Sequence, residues 1–137
     1  MPTSKELTIR LEDRPGTLGN ACRALADRKV NILAFQSIPA EEGTSLVRLV
    51  VDNPTTAKTV LDKQGLSYTE TEVAQVKLAH RPGELARAAS RLGDANININ
   101  YAYCGIDAST DAPLLIVGVK EVAKAVTILD QLTAAAA

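Results

Sequence analysis

The stretch Asp13-Arg14-Pro15-Gly16-Thr17-Leu18 returns, at an offset of 67 residues, as His80-Arg81-Pro82-Gly83-Glu84-Leu85. The match runs on without a gap: Ala21 recurs as Ala88, Leu25 as Leu92, Asp27 as Asp94, and Asn31-Ile32 as Asn98-Ile99. The 137 residues are therefore two copies of one small unit, expected to divide into 1–71 and 72–137. Outside the hydrophobic pattern, the repeated feature is a Pro-Gly turn that opens a helix, with an Asn on the strand after that helix. Such a layout suits the holding of a small polar ligand rather than chemistry.

Working outward, Leu7, Ile9 and Leu11 alternate with Thr8 and Arg10, the period of a strand with one buried face. Pro15-Gly16 breaks it, and Pro is tolerated at a helix start, where its missing N–H has no intrahelical partner to lose. Leu18, Ala21, Cys22 and Leu25 then form one apolar stripe of a helix from about Thr17 to Arg28. A second strand, Val30 to about Pro39, is expected to place Val30, Ile32 and Ala34 on one face and Asn31, Leu33 and Phe35 on the other. Glu41-Glu42-Gly43 reads as a hairpin turn. Thr44–Asp52 is a third strand, Thr55–Gln64 a second helix ended by Gly65, and Leu66–Thr71 a short fourth strand. The order β-α-β-β-α-β is the ferredoxin-like arrangement, an α+β class. The second copy follows it: Ala74, Val76 and Leu78 in a strand, Leu85, Ala88, Ala89 and Leu92 on a helix. Ile97, Ile99, Tyr101 and Tyr103 are expected to face its core, followed by Leu115, Val117 and Val119, then Val122, Ala125, Val126 and Leu129. No last strand is expected after Thr133–Ala137, so the second copy reads as truncated.

Two inferences follow about packing. The sheet faces turned from the helices carry Leu33, Phe35, Leu46 and Val50 in one copy and Ala102, Leu114 and Ile116 in the other. A solvated face would alternate more cleanly, so this face is expected to be covered, by the other copy or by a second chain. The join near Glu72 is also very short. Either the sheets stack face to face, or Leu66–Ala79 is one long strand shared by both copies.

The apolar fraction of 46% and charged fraction of 23% are those of an ordinary soluble globular protein. A net charge of −1 supplies no basic footprint for nucleic acid, and Phe35 alone gives no stacking surface for RNA. No run of roughly 18 apolar residues marks a membrane span, and Met1–Glu6 has no apolar leader segment. Cys22 and Cys104 are too far apart for a metal or redox motif; both are expected to be reduced thiols in a cytoplasmic protein. No metal or cofactor is expected.

D-R-P-G-T-L-G-N-A-C-R-A-L-A-D-R-K-V-N-I resembles the first half of an ACT domain, a small amino-acid-sensing regulatory module. H-R-P-G-E-L-A-R-A-A-S-R-L-G-D-A-N-I-N-I resembles it again. The pattern is loose in one copy and specific because it appears twice in register. The chain looks like the stand-alone tandem ACT proteins, which carry no catalytic domain. The resemblance implies ligand contacts from the loop before the first helix and from the Asn that starts the second strand, usually across an interface between two units. That implicates Asp13, Arg14, Gly16, Thr17 and Asn31, with His80, Arg81, Gly83, Glu84 and Asn98.

The physics of the loop agrees. Gly16 and Gly83 let a ligand approach the backbone, and the following helix N-terminus favours an anion such as an α-carboxylate. Asp13, or Glu84 in the second copy, would take an ammonium, and the Asn31 and Asn98 amides offer both donor and acceptor. The copies differ at Asp13 versus His80 and Thr17 versus Glu84, so two non-equivalent sites, or one active and one dead, are open. The leading reading is a non-enzymatic regulatory module that binds a small amino acid, forms a homodimer and acts on a regulated enzyme. A partner-binding subunit without ligand is one alternative. A small acylphosphatase-like hydrolase using Arg14 and Asn31 is another, although the glycine-flanked loop of that family is absent.

Overall fold

A computed structural model describes the backbone of residues 3–136 and the side chains of residues 3–133. The elements are β1 (Thr3–Glu12), α1 (Thr17–Asp27), β2 (Ile32–Pro39), β3 (Thr44–Val51), α2 (Pro54–Lys63) and β4 (Tyr68–Lys77). They continue with α3 (Glu84–Asp94), β5 (Tyr101–Ile106), β6 (Pro113–Gly118) and α4 (Val122–Ala136). Lys5–Thr71 make one compact unit, and the residues from Glu72 on, joined by Thr3 and Ser4, make the other.

In the first unit the strand order is β4-β1-β3-β2. β3 runs antiparallel to β1, with Leu7 opposite Leu49 and Ile9 opposite Val47, and antiparallel to β2. Residues directly opposite across a ladder point to the same face, so these four side chains meet the helices together. Leu7, Ile9, Leu25, Leu49, Val60 and Leu61 are buried in one cluster. α2 starts on a side-chain cap, the Asn53 Oδ1 accepting the Thr56 N–H at 3.1 Å.

The second unit repeats this on its own core of Ala74, Val76, Ala88, Leu92, Leu115, Val117, Ala125 and Leu129. β6 lies antiparallel to β4, with Ala74 opposite Val117, and antiparallel to β5. Between the copies the chain takes the second of the two routes open from the sequence: Tyr68–Lys77 is a single ten-residue strand. Its first residues belong to one unit and its last to the other. Among the described residues no strand follows α4. Thr3 and Ser4 group with this unit instead, and the Ser4 hydroxyl donates to the Gln75 side chain on β4. The start of β1 thus stands beside β4 within this unit.

Five facing assignments need correction. The β2 ladder shifts register between Ile32 and Ala34. Ile32 packs on the helix-side core, but Ala34 then lies opposite Val50 and Phe35 opposite Leu49. Ala34 is therefore on the face away from the helices, and Phe35 is on the helix side, 54% exposed. In the second copy the alternation breaks just before the strand begins. Ile97 and Ile99 pack in its core, but β5 begins only at Tyr101, and Tyr103 lies opposite Ile116 while Ala102 lies opposite Val117. Tyr101 and Tyr103 are thus turned away from the helices, and Ala102 toward them. An irregularity of one residue moves every following side chain to the other face, which a strict alternation cannot show. On the face away from the helices, Val50, Leu114 and Ile116 are buried in the single chain.

Candidate ligand site

Both Pro-Gly loops fold alike. Gly16 (φ 92°, ψ −17°) and Gly83 (φ 92°, ψ −12°) are the N-cap residues of α1 and α3, in the left-handed region that Gly enters without steric cost. Neither helix start carries a side-chain cap. The Arg14 N–H donates to the Glu12 carbonyl and the Arg81 N–H to the Ala79 carbonyl, both at 3.0 Å. The sequence repeat is therefore a repeat of backbone conformation.

Below the first loop lies a cavity of about 190 Å3, lined by Leu11, Glu12, Arg14, Thr17, Asn20, Ala21, Gln64 and Leu66. Drug-sized sites run to roughly 300–1,000 Å3, so this one suits a small molecule. The Arg14 Nε reaches the Glu12 carboxylate at 2.6 Å, both side chains being largely exposed. The Thr17 hydroxyl donates toward the Glu12 and Arg14 carbonyls at 2.8 and 3.1 Å, and so ties the loop to the helix start. The walls offer a guanidinium, a carboxylate, two amides and a hydroxyl above an apolar floor. That set can hold a group carrying both charges. Asp13, exposed, donates its N–H to the Gly43 carbonyl at 2.9 Å and is not among the lining residues.

Asn31 is not brought to this cavity. It sits past the other end of α1, whose 11 residues span about 16 Å. There its N–H donates to the Asp52 carboxylate at 2.9 Å. Arg14 and Asn31 accordingly do not face one substrate, which removes the geometry of the acylphosphatase-like alternative. Asn98 occupies the matching end of α3, and its amide donates to the Asn100 side chain at 3.0 Å. A cavity of about 260 Å3 opens there, lined by Asn96, Ile97, Asn98, Asn100, Lys120 and Glu121. At the second loop His80 and Arg81 are exposed, and Glu84 lies 3.4 Å from Arg81 and 3.6 Å from Arg87.

The sequence reading missed Glu12, Asn20 and Gln64. Asn20 had a signal, a polar residue one turn after Thr17; Gln64 had none, because it comes from the end of α2. Among the described residues no group of three His, Cys, Asp or Glu side chains could hold a metal ion, and no helix is long and apolar enough to cross a membrane.

A family model described as an ACT domain pair matches residues 2–136. The protein belongs to that family. Solved structures place the ACT pair in the same fold as a protein from Bacteroides thetaiotaomicron, with a TM-score of 0.82 and 22% identity over 96% of this chain and 89% of that one. The ligand-free regulatory subunit of aspartate kinase from Thermus thermophilus shares it at a TM-score of 0.62 and 18% identity, covering 95% and 91%. The corresponding subunit from Thermus flavus gives a TM-score of 0.59 and 16% identity, covering 96% and 92%. At these identities the likeness is one of fold. A search of curated protein sequences returns no match.

Proposed function

We propose that this ACT pair is a non-enzymatic regulatory module that binds a small amino acid at the loop opened by Gly16 and acts on a partner enzyme. The observation that carries this reading is the cavity beneath that loop, where Arg14, Glu12, Thr17, Asn20 and Gln64 converge. The α-carboxylate would lie toward Arg14 and the α1 N-terminus, which favours negative charge. The ammonium would lie toward Glu12, with Asp13 adding negative charge at the rim. Asn31 and Asn98, at the far ends of their helices, would meet a ligand only from a neighbouring unit. The fold shared with aspartate kinase regulatory subunits supports a regulatory role. We read the two units as ferredoxin-like halves, with β1 supplying the last strand of the second, and the working form as a homodimer in the cytoplasm. Binding would shift an existing equilibrium by its differential affinity for the two states.

The test is thermal unfolding of the purified protein with each of the twenty amino acids. A ligand at about 100 times its dissociation constant adds about 2.7 kcal/mol, a shift of several degrees. One amino acid should raise the midpoint, and Arg14→Ala should abolish the rise. If none does, the ACT pair is better read as a partner-binding subunit without ligand.

A further inference from the structure

The two loops share a backbone but not what stands beneath it. Thr17 of the first copy is replaced by Glu84, and Asn20 by Arg87. Gln64, three residues after the core Leu61, is replaced by Leu132, three after the core Leu129. In the first unit these positions line an open cavity of about 190 Å3. In the second they are tied to one another. Glu84 Oε2 lies 3.4 Å from Arg81 Nε, and its Oε1 lies 3.6 Å from Arg87 Nη1. Arg87 Nη2 in turn donates to the Leu132 carbonyl at 3.0 Å. The Glu84 side chain is only 12% exposed, against 72% for Glu12 in the ion pair of the first loop.

We propose that Glu84 is a built-in carboxylate that closes the second loop, so that a free amino acid binds at the first loop only, one per chain. The one-per-chain count rests on the function proposed above; the closure does not. The carboxylate sits in the first turn of α3 between two guanidiniums, the chemistry that would recognise a ligand's own carboxylate. Because it is covalently attached, it meets those groups at an effective concentration that a free metabolite must exceed. The second copy keeps the architecture of a site and fills it from its own helix.

The closure is tested without an amino acid. Glu84→Ala leaves Arg81 and Arg87 facing an empty position, which millimolar acetate or propionate should refill. The carboxylate should raise the melting temperature of the variant by several degrees more than that of the parent protein, over equal chloride and saturably. Equal shifts in both proteins, or a shift in neither, would overturn the closure. Should Glu84→Ala fail to fold, Glu84→Thr installs the residue type of the first copy and serves in the same comparison. The count is tested by hydrogen exchange of the parent protein with a mixture of the twenty amino acids. Protection confined to the first loop supports it; protection at the second loop overturns it. Protection at neither loop, with acetate rescue intact, sinks the amino-acid reading and the count together while the closure stands.

Discussion

Gly16 and Gly83 each carry a φ of 92° with nothing within 4 Å of where a Cβ would stand. A substitution there meets backbone strain and no clash. An L residue in the left-handed region is disfavoured by roughly 1–2 kcal/mol. Gly16→Ala and Gly83→Ala should each lower unfolding stability in urea by about that amount, with Asn at either position costing less than Ala because its side chain tolerates this region. Equal stability of parent and Ala variants would mean that the turns relax. In the second unit, Asp107 closes the hairpin between β5 and β6. Its carboxylate accepts from the Thr110 and Ser109 hydroxyls at 2.8 and 2.9 Å and from the Thr110 N–H at 3.0 Å. Lys77 lies 3.5 Å away. The hydroxyl bonds, the N–H bond and the Lys77 charge hold its pKa well below the ordinary value of 3.8. A depressed folded pKa contributes stability that is fully present above the unfolded value and is lost as pH falls through the folded one. The melting temperature of the parent protein should thus fall more steeply below about pH 4 than that of Asp107→Asn. Parallel curves would show that Asp107 is not linked to folding.

Among the elements, α1 and α3 are the most alike. Leu25 and Leu92 occupy the same turn of each and are fully buried. Leu25→Ala and Leu92→Ala should each cost roughly 2–5 kcal/mol, the range for emptying such a site. Chemical denaturation checks both. The central strands are where the copies diverge. In the second, Gly118 lies opposite Tyr101 across the β5–β6 ladder, and a Cβ at Gly118 would overlap the Tyr101 ring. That ring stacks on Tyr103 with centroids 6.4 Å apart. Gly118→Ala should therefore destabilise by about 1–3 kcal/mol, as overpacking does, and the loss should shrink in a Tyr101→Ala background. An unchanged loss in the double variant would place the cause elsewhere. Burial also raises the Cys22 thiol pKa, while Cys104 is exposed. A thiol-reactive probe at neutral pH should label Cys104 first, since the thiolate and its access govern the rate; mass spectrometry after brief exposure checks the order.

For the whole molecule, the shared strand β4 is the decisive element. It carries Tyr68–Thr71 into one unit and Glu72–Lys77 into the other without a break. Cooperativity requires that partial unfolding be costly, and a strand common to both units imposes that cost. Inserting a short Gly-Ser segment after Thr71 should split one calorimetric transition into two. A single transition in the insertion variant would show that coupling does not run through this strand.

The sequence by itself determined the number of copies, the order of elements, both helix cores and the Pro-Gly turns at Gly16 and Gly83 that open a helix. These depend on local periodicity and on residue types with narrow conformational roles, and the repeat states each of them twice. It also placed Arg14 and Thr17 at the open loop. Only the tertiary structure decided the rest. The irregularities after Ile32 and Ile99 set which face Phe35, Tyr101 and Tyr103 take, because a ladder is registered by its partner strand. The run of β4 through the join, and the place of Thr3 and Ser4 beside it, depend on pairing between distant segments. So does the difference between the loops: Gln64 borders the cavity of Arg14, while the Leu132 carbonyl anchors Arg87, each brought by the last helix of its copy. No spacing in the chain records such a meeting, because packing two helices on one sheet is what creates it.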